Sequence, residues 1–264
     1  MFFYEGNPMN DENPQDRFDR FAQRYVTSQG HAQGSDLDIL VAVADPQPDW
    51  VTLDIATGGG HTALRLAPHV ARVVATDLAP GMLAAAETYL RAQEAENVTF
   101  ELADAQDLPF ESEQFELVTC RIAPHHFSDC PQFVREAARV LSSGGTLVVQ
   151  DHVLPTDEAA ARYIDAFERL RDPSHNRAYS LDEWTEMFLD AGLHVTHTEQ
   201  VTKEHSFLPW AERQDCTSET IDELVAMIQN APPAARDWLQ PHGFGTPEAT
   251  FVNRHLIIAG RKQA

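Results

Sequence analysis

The sequence predicts an α/β protein with a doubly wound, mostly parallel seven-stranded sheet, an N-terminal helical cap and a helical insertion before the last strand. From Val51 onward, short apolar runs alternate with longer segments of helical periodicity, which is the order of repeated strand–helix–strand units. The first apolar run leads into a glycine turn, Gly58–Gly60, and helical residues follow it directly. At 264 residues the chain is long enough for one large domain of this kind.

The helical cap is predicted over residues 1–48, and we expect it to be part of the same domain. Aromatic side chains recur at three- and four-residue spacing over residues 16–26, so one helix is expected there. A second helix is expected from a cap at Ser35 or Asp36 to about Ala44.

Residues 49–201 predict the sheet core. Ser180 and Glu183 have the spacing of a capping box, so the last core helix is expected to begin at Ser180. The expected strands are 51–55, 72–76, 98–102, 115–120, 146–150 and 193–201, and the expected helices are 61–67, 80–94, 131–141, 157–170 and 180–191.

The end of the chain departs from this alternation. Residues 202–249 predict an insertion with helices at 218–229 and 234–239, and residues 250–264 predict the final strand of the core. An insertion at this place is either a lid over the ligand crevice or a packing or dimer contact.

The charge balance is strongly acidic, with 41 Asp and Glu against 19 Lys and Arg and a net charge of −22. Lys203 and Lys262 are the two lysines. Nucleic acids and anionic membranes require basic patches, so neither is expected as a partner. The composition fits either an ordinary acidic cytosolic protein or a protein from a high-salt cytoplasm, where screening weakens the self-repulsion of an acidic surface.

The cysteine set and the N-terminus predict a cytoplasmic protein. Cys120, Cys130 and Cys216 are too few and too scattered for a disulfide framework, which favours a reducing compartment. Residues 1–20 lack the apolar stretch of a signal peptide, and no run approaches the length of a membrane span.

The glycine turn is the strongest indication of a ligand. Glycines between a strand and a helix let the backbone approach a ligand closely. Asp54 precedes Gly58 by four residues, and Asp77 ends the next apolar run, where a carboxylate can accept from ribose hydroxyls.

Two cofactors fit this turn. The spacing Gly58-x-Gly60-x-x-Ala63 satisfies the dinucleotide fingerprint of NAD-dependent oxidoreductases, and the segment from Asp54 to Gly60 also fits the first motif of S-adenosylmethionine-dependent methyltransferases. A pyrophosphate gains nothing from a carboxylate so near its phosphates, whereas a cationic methionine moiety does. Asp54 therefore favours S-adenosylmethionine.

Four segments in order resemble class I methyltransferases of the ubiquinone/menaquinone-biosynthesis methyltransferase-like group (methyltransferase type 11). The segments are 53–60, 74–83, 103–110 and 115–127. The resemblance covers roughly residues 16 to 200, whereas the tail from residue 201 is not typical of the quinone enzymes. It implies a Rossmann-like methyltransferase fold, S-adenosylmethionine as methyl donor with S-adenosylhomocysteine as product, and a small-molecule acceptor methylated on carbon, oxygen or nitrogen.

The resemblance also implies contacts to the methionine half of the cofactor. Asp54 would face the amino group directly or through water, and the Arg121 backbone would lie near the methionine carbons. Tyr25 and His31 of the cap would close over the same end. The residues of the turn that would lie under the cofactor are Ala56, Gly58, Gly59 and Gly60.

The nucleoside half would be held by two further strand ends. Asp77 would bind both ribose hydroxyls, with Leu78 against the adenine. Asp104 would accept from the adenine amino group, and the Ala105 amide would donate to the ring.

His125 and His126 follow the fourth predicted strand, where they are candidates for a general base or an acceptor contact. Cys120 and Cys130 lie near them, but the spacing is not a zinc pattern, so no metal site is predicted. The polar cluster at 169–177 either binds an anionic acceptor or pairs on the surface. The alternatives to a methyltransferase are an NAD-dependent oxidoreductase and a non-catalytic S-adenosylmethionine-binding protein, as a monomer or homodimer.

Overall fold

The sheet runs in the order β3-β2-β1-β4-β5-β8-β7 in a computed structural model that describes residues 34–263. All pairings along this path are parallel except those of β8, which is antiparallel to both β5 and β7. A short strand, β6, pairs with β5 outside the path. The strands are β1 Val51–Ile55, β2 Arg72–Asp77, β3 Val98–Leu102, β4 Phe115–Arg121, β5 Leu141–Leu154, β6 Tyr179–Ser180, β7 Leu193–Ser206 and β8 Thr250–Lys262.

Helices cover both faces of this sheet. The predicted helix at 16–26, together with Tyr25 and His31, lies outside the described residues. The helices are α1 Ser35–Ala44, α2 His61–Leu66, α3 Pro80–Ala92, α4 Cys130–Val140, α5 Glu158–Arg171, α6 Leu181–Asp190, α7 Phe207–Glu212, α8 Ser218–Gln229 and α9 Pro233–Leu239.

The strand order reverses between β1 and β4, which pair in parallel from Thr52 to Ile55. Parallel strands that reverse their order open a crevice at their carboxyl ends, and ligands of doubly wound sheets bind there. The ends of β1 to β5 therefore position the candidate site.

Two apolar layers bury the central strands. One contains Phe133 of α4 and Trp184 of α6, and the other contains Leu40, Leu66 and Leu90 of α1 to α3. Because both faces are covered, the central strands are nearly continuous apolar runs, which is why they are visible in the sequence.

Helix caps agree with the predicted starts. Ser180 and Glu183 form the capping box, and Asp157 caps α5 by accepting from the Ala160 amide. Within residues 34–263, no helix is long and apolar enough to cross a membrane.

β5 and β7 are both several residues longer than the sequence predicts. β5 begins at Leu141 and β7 continues to Ser206, past the predicted end at residue 201. The outer half of β7 is polar and alternates between half-buried and exposed positions, so apolar runs do not reveal it. Its pairing with β8 continues to Ser206, opposite Thr250, and this ladder extends both strands.

The insertion has an apolar cluster of its own. Phe167 of α5 stacks on Trp210 of α7 with ring centroids 5.3 Å apart, and Phe251 of β8 packs on both rings. Leu224 of α8 and Leu239 of α9 are buried in the same cluster. The predicted helix at 218–229 is confirmed, whereas the short helix α7 is not predicted.

Candidate active site

The glycine turn after β1 is built on the left-handed backbone of three residues. Ala56, Gly58 and Gly60 have φ of 51°, 55° and 81°. A Cβ on Gly58 would meet no atom of the described residues within 4 Å, so the space above this glycine is open. A Cβ on Gly60 would lie 2.3 Å from Leu90 Cδ1, so this glycine lets α3 pack against the turn. Gly58 therefore leaves space above the turn, whereas Gly60 allows close packing of a helix.

Asp54 lies buried beneath this turn. Its Oδ2 accepts from Thr57 Oγ1 at 2.6 Å, and its Oδ1 accepts from Thr119 Oγ1 at 2.7 Å. Burial raises the pKa of Asp54 to about 6, although both hydroxyls favour the charged form. A carboxyl with this pKa is ionised at neutral pH and protonated in mild acid.

Asp77 ends β2 and faces the same turn. Its Oδ2 accepts from the Gly58 amide at 3.0 Å, and its Oδ1 accepts from the Ala79 amide at 3.1 Å. The next residue, Leu78, is 49% exposed although it is large and apolar. An oriented carboxylate and an exposed apolar side chain therefore lie side by side at the end of β2.

The loop after β3 continues this edge. The Ala103 amide donates to the Asp77 carbonyl at 3.1 Å, which ties the two strand ends together. Asp104 Oδ1 accepts from the Gln106 amide at 2.8 Å, so the side chain closes a turn around buried Ala105. The structure thus places the predicted Asp104–Ala105 pair directly beyond the end of β3.

The side chain of Arg121 points from the end of β4 toward α1. Its Nη2 pairs with Asp36 Oδ2 at 2.6 Å and its Nε donates to Gln150 Oε1 at 3.0 Å. Lys203 Nζ reaches the same Asp36 oxygen at 2.9 Å. Burial would raise the pKa of Asp36, but these two cations hold it well below its usual value.

His125 and His126 lie in a short 3-10 turn after β4. His125 Nδ1 lies 2.6 Å from Asp151 Oδ1, and its amide donates to Asp151 Oδ2 at 2.7 Å. His126 Nδ1 lies 3.0 Å from the Ser174 carbonyl oxygen, to which it donates. Burial, followed by the neighbouring His126 and His175, lowers the pKa of His125 well below its usual value. Both rings are therefore held by hydrogen bonds at Nδ1.

Three more histidines extend this group. Ring centroids lie 4.8 Å from His125 to His152 and 5.2 Å from His125 to His175, and His255 lies 4.5 Å from His152. The loop after α5 also holds His125 through its backbone, because the Asn176 amide donates to the His125 carbonyl at 2.8 Å. Segments far apart in the sequence thus meet at the ends of β4 and β5, next to β8.

The polar cluster at 169–177 is paired largely within the protein. Arg169 and His175 both contact Asp165, at 2.6 and 2.8 Å. Arg171 lies over the Trp210 ring and donates to its carbonyl oxygen. These contacts favour the alternative in which the charged groups of the cluster pair with one another rather than with an anionic acceptor.

Known proteins share this chain's sequence and architecture. A family model described as a methyltransferase domain matches residues 53–149. The uncharacterized methyltransferase YcgJ of Bacillus subtilis is 33% identical over 257 residues, covering 97% of this chain and 100% of the relative. The crystal structure of the YcgJ protein superposes with a TM-score of 0.84 at 31% identity, covering 87% of this chain and 99% of that one. A demethylmenaquinone methyltransferase of Thermus thermophilus is 42% identical over 105 residues, covering 39% of this chain and 47% of the relative.

The chain belongs to the class I S-adenosylmethionine-dependent methyltransferases. Of the two classes of enzyme that fit the glycine motif, the comparisons therefore support the methyltransferases. The Rossmann-like methyltransferase fold predicted from the sequence is confirmed.

Three residues of this methyltransferase's candidate site are absent from the predicted site residues: Asp151, His152 and His255. For Asp151 and His152 a signal existed, because they directly follow the predicted strand 146–150 and strand ends carry ligands in this fold. His255 lies inside an apolar run, so only its pairing opposite His152 in the antiparallel β5–β8 ladder reveals it.

Proposed function

We propose that this methyltransferase transfers the methyl group of S-adenosylmethionine to a small organic acceptor. The observation that carries the proposal is the open turn at Gly58 beside the oriented Asp77 carboxylate. Such a turn accepts a ligand that any Cβ would exclude. The sulfonium supplies an activated methyl group, so the protein's main task is to hold the acceptor in line with it.

On the cofactor side, the proposed contacts follow the strand ends. Asp77 accepts from the ribose hydroxyls while its two backbone bonds keep it oriented, and Leu78 covers the adenine. Asp104 and Ala105 bind the adenine edge from the end of β3. The remaining proposed cofactor residues are Ala56, Gly58, Gly59, Gly60, the Arg121 backbone and, outside the described residues, Tyr25 and His31.

Asp54 is proposed to act on the methionine ammonium. Because both of its oxygens already accept from hydroxyls, its charge acts from beneath the turn, directly or through water. Thr57, whose hydroxyl bonds Asp54, belongs to the turn itself.

On the acceptor side, His125 and His126 are proposed to contact the acceptor or remove its proton. They lie beyond β4, next to the strand end where the methionine moiety is expected. The net charge of −22 supports a small molecule over a nucleic acid, since a polyanion would be repelled. The proposal places the reaction in a reducing cytoplasm, with the chain as a monomer or homodimer.

The test is calorimetric titration with S-adenosylhomocysteine and, separately, NAD, at high KCl. We expect micromolar binding of S-adenosylhomocysteine alone. The Asp77→Ala variant should bind it roughly tenfold to hundredfold more weakly, because a hydrogen bond to a charged group contributes about 1.5–3 kcal/mol.

Asp222→Ala is the matched control, since Asp222 is an exposed acid on α8. Its affinity should equal that of the unaltered protein, and melting curves should show that both variants are folded. Unchanged affinity in Asp77→Ala would overturn the ribose contact, and binding of NAD alone would overturn the proposal. Formation of S-adenosylhomocysteine from S-adenosylmethionine in an acceptor screen then identifies the acceptor class.

A further inference from the structure

Three side chains at the ends of β4 and β5 form a group with the composition of a metal site. The potential ligand atoms of His125, Asp151 and His152 all lie within 4.8 Å of one another. His125 and Asp151 are buried and His152 is half-buried. Unlike an exposed acidic cluster, this group is held inside the protein by packing and hydrogen bonds.

Packing several imidazoles together has an energetic cost that apolar residues would not have. Each buried ring loses water, and a buried polar group destabilises the fold unless it gains a partner. His152 lies 4.8 Å from His125 and 4.5 Å from His255, measured between ring centroids. A metal ion bound among these rings would give them a shared partner.

Asp151 orients the group. Its carboxylate binds both the amide and Nδ1 of His125, at 2.7 and 2.6 Å, so this ring is held from one side. No hydrogen bond within residues 34–263 uses His125 Nε2, which leaves this nitrogen for a ligand. A carboxylate behind a histidine is the usual outer support of a metal-binding imidazole.

We propose that His125, through Nε2, and His152 bind a divalent first-row transition-metal ion, and that Asp151 supports His125 from behind. Imidazole ligands suit zinc, iron, cobalt or nickel better than magnesium or calcium, which prefer sites built from oxygen alone. His255 is a neighbouring imidazole, with its ring centroid 4.5 Å from that of His152. The sequence predicts no metal, because the cysteines near His125 have the wrong spacing and Asp151 and His152 lie on another strand.

The location of the site suggests a role for the ion in binding the acceptor, and this role rests on the proposed function. The site lies beyond β4 and β5, where the acceptor is expected. An ion there would bind an acceptor oxygen or nitrogen and hold it toward the methyl group. In that arrangement His125 is a ligand rather than the general base, and acceptors with a metal-binding hydroxyl, carboxylate or amine are favoured.

The experiment uses the full chain, purified without a polyhistidine tag and stripped with a chelator. Titration with Co²⁺ is followed by its visible absorption, and titration with Zn²⁺ by calorimetry. We expect one ion per chain and visible bands characteristic of a low-symmetry nitrogen and oxygen site. His152→Ala should weaken binding about tenfold or more.

His194→Ala is the matched control, because His194 is exposed on β7 and distant in sequence from the site. It should bind both ions as the unaltered protein does. Asp151→Asn keeps the shape of the carboxylate and should also weaken binding, and melting curves establish that each variant is folded. The proposal is overturned if the unaltered protein binds no ion, or if His152→Ala binds as tightly as His194→Ala.

Titration of the same samples with S-adenosylhomocysteine separates this inference from the proposed function. Cofactor binding without Co²⁺ binding would remove the metal site and leave the transferase. Co²⁺ binding that depends on His152, without cofactor binding, would keep the metal site and remove the proposed cofactor contacts.

Discussion

The two halves of the candidate site use different chemistry. The half at β1 to β3 consists of backbone turns and carboxylates, and its carboxylates are bound by amides and hydroxyls at 2.6–3.1 Å. The half at β4, β5 and β8 consists of histidines in contact with one another. Rigid backbone suits a ligand whose shape is constant, whereas side chains can be exchanged between related enzymes without changing the sheet. We expect this contrast if the first half binds a methyl donor that related enzymes share and the second half binds an acceptor that is particular to this enzyme.

A substitution in the insertion, which lies beside the histidine half, is the strongest test of this division. Trp210→Ala should lower the free energy of unfolding by about 3–5 kcal/mol, because it removes a buried ring that stacks on Phe167. S-adenosylhomocysteine affinity should be unchanged in the fraction that stays folded. Urea denaturation and calorimetry measure the two quantities.

Trp210→Phe is the milder companion for this test. It keeps an aromatic ring against Phe167 and should cost less stability. A fall in cofactor affinity in this folded variant would contradict the separation of the two halves.

The glycine pair gives the next largest effect. Gly60→Ala should destabilise the protein by about 1–3 kcal/mol, since its Cβ would overlap Leu90 and its φ of 81° is left-handed. Gly58→Ala should cost only the backbone strain, about 1–2 kcal/mol, but should lose most of its affinity for S-adenosylhomocysteine. Thermal unfolding and calorimetry on both variants check this, and equal losses of affinity would contradict the separate roles of the two glycines.

Acid should weaken cofactor binding through Asp54. Its pKa of about 6 lies above the ordinary value for an aspartate, so the carboxyl gains a proton as the pH falls through 6. The cofactor ammonium prefers the ionised form, so affinity should approach its maximum about one pH unit above 6 and fall below pH 6 by at most about tenfold per pH unit. Calorimetry between pH 5 and pH 8 would show this, whereas Asp54→Asn should bind weakly with no such step.

Added salt should change the stability of the protein least, because it acts on the charges of the whole surface. With a net charge of −22, added KCl screens self-repulsion, and we expect a rise in Tm of a few degrees between low and molar KCl. A Tm that is flat over this range would argue against a high-salt adaptation.

The sequence predicts the β1–β3 half well because its residues lie in short contiguous motifs. Asp54 lies near the end of an apolar run, and Asp77 and Asp104 end or follow one, so their positions at one edge of the sheet follow from parallel topology. The structure places all three there. Their contacts with a cofactor remain predictions.

The histidine half could be predicted only in part. His125 and His126 follow a strand as expected, but His255 reaches His152 through an antiparallel strand whose position in the sheet no local pattern encodes. The long polar end of β7 is hidden for a related reason, because pairing with β8 and not apolar burial makes it a strand. Long-range pairing is the information that composition and periodicity lack.

The position of β8 between β5 and β7 also sets an order on folding. The ribosome makes β8 after every other described strand, yet within residues 34–263 β7 meets the sheet only through it. The edge strand must therefore wait, unpaired, until the last strand has been synthesised and inserted. The same late strand carries His255, so the parallel half of the sheet can form during translation while the histidine half is completed after it. The chain can thus form the half proposed to bind the cofactor before the half proposed to bind the acceptor.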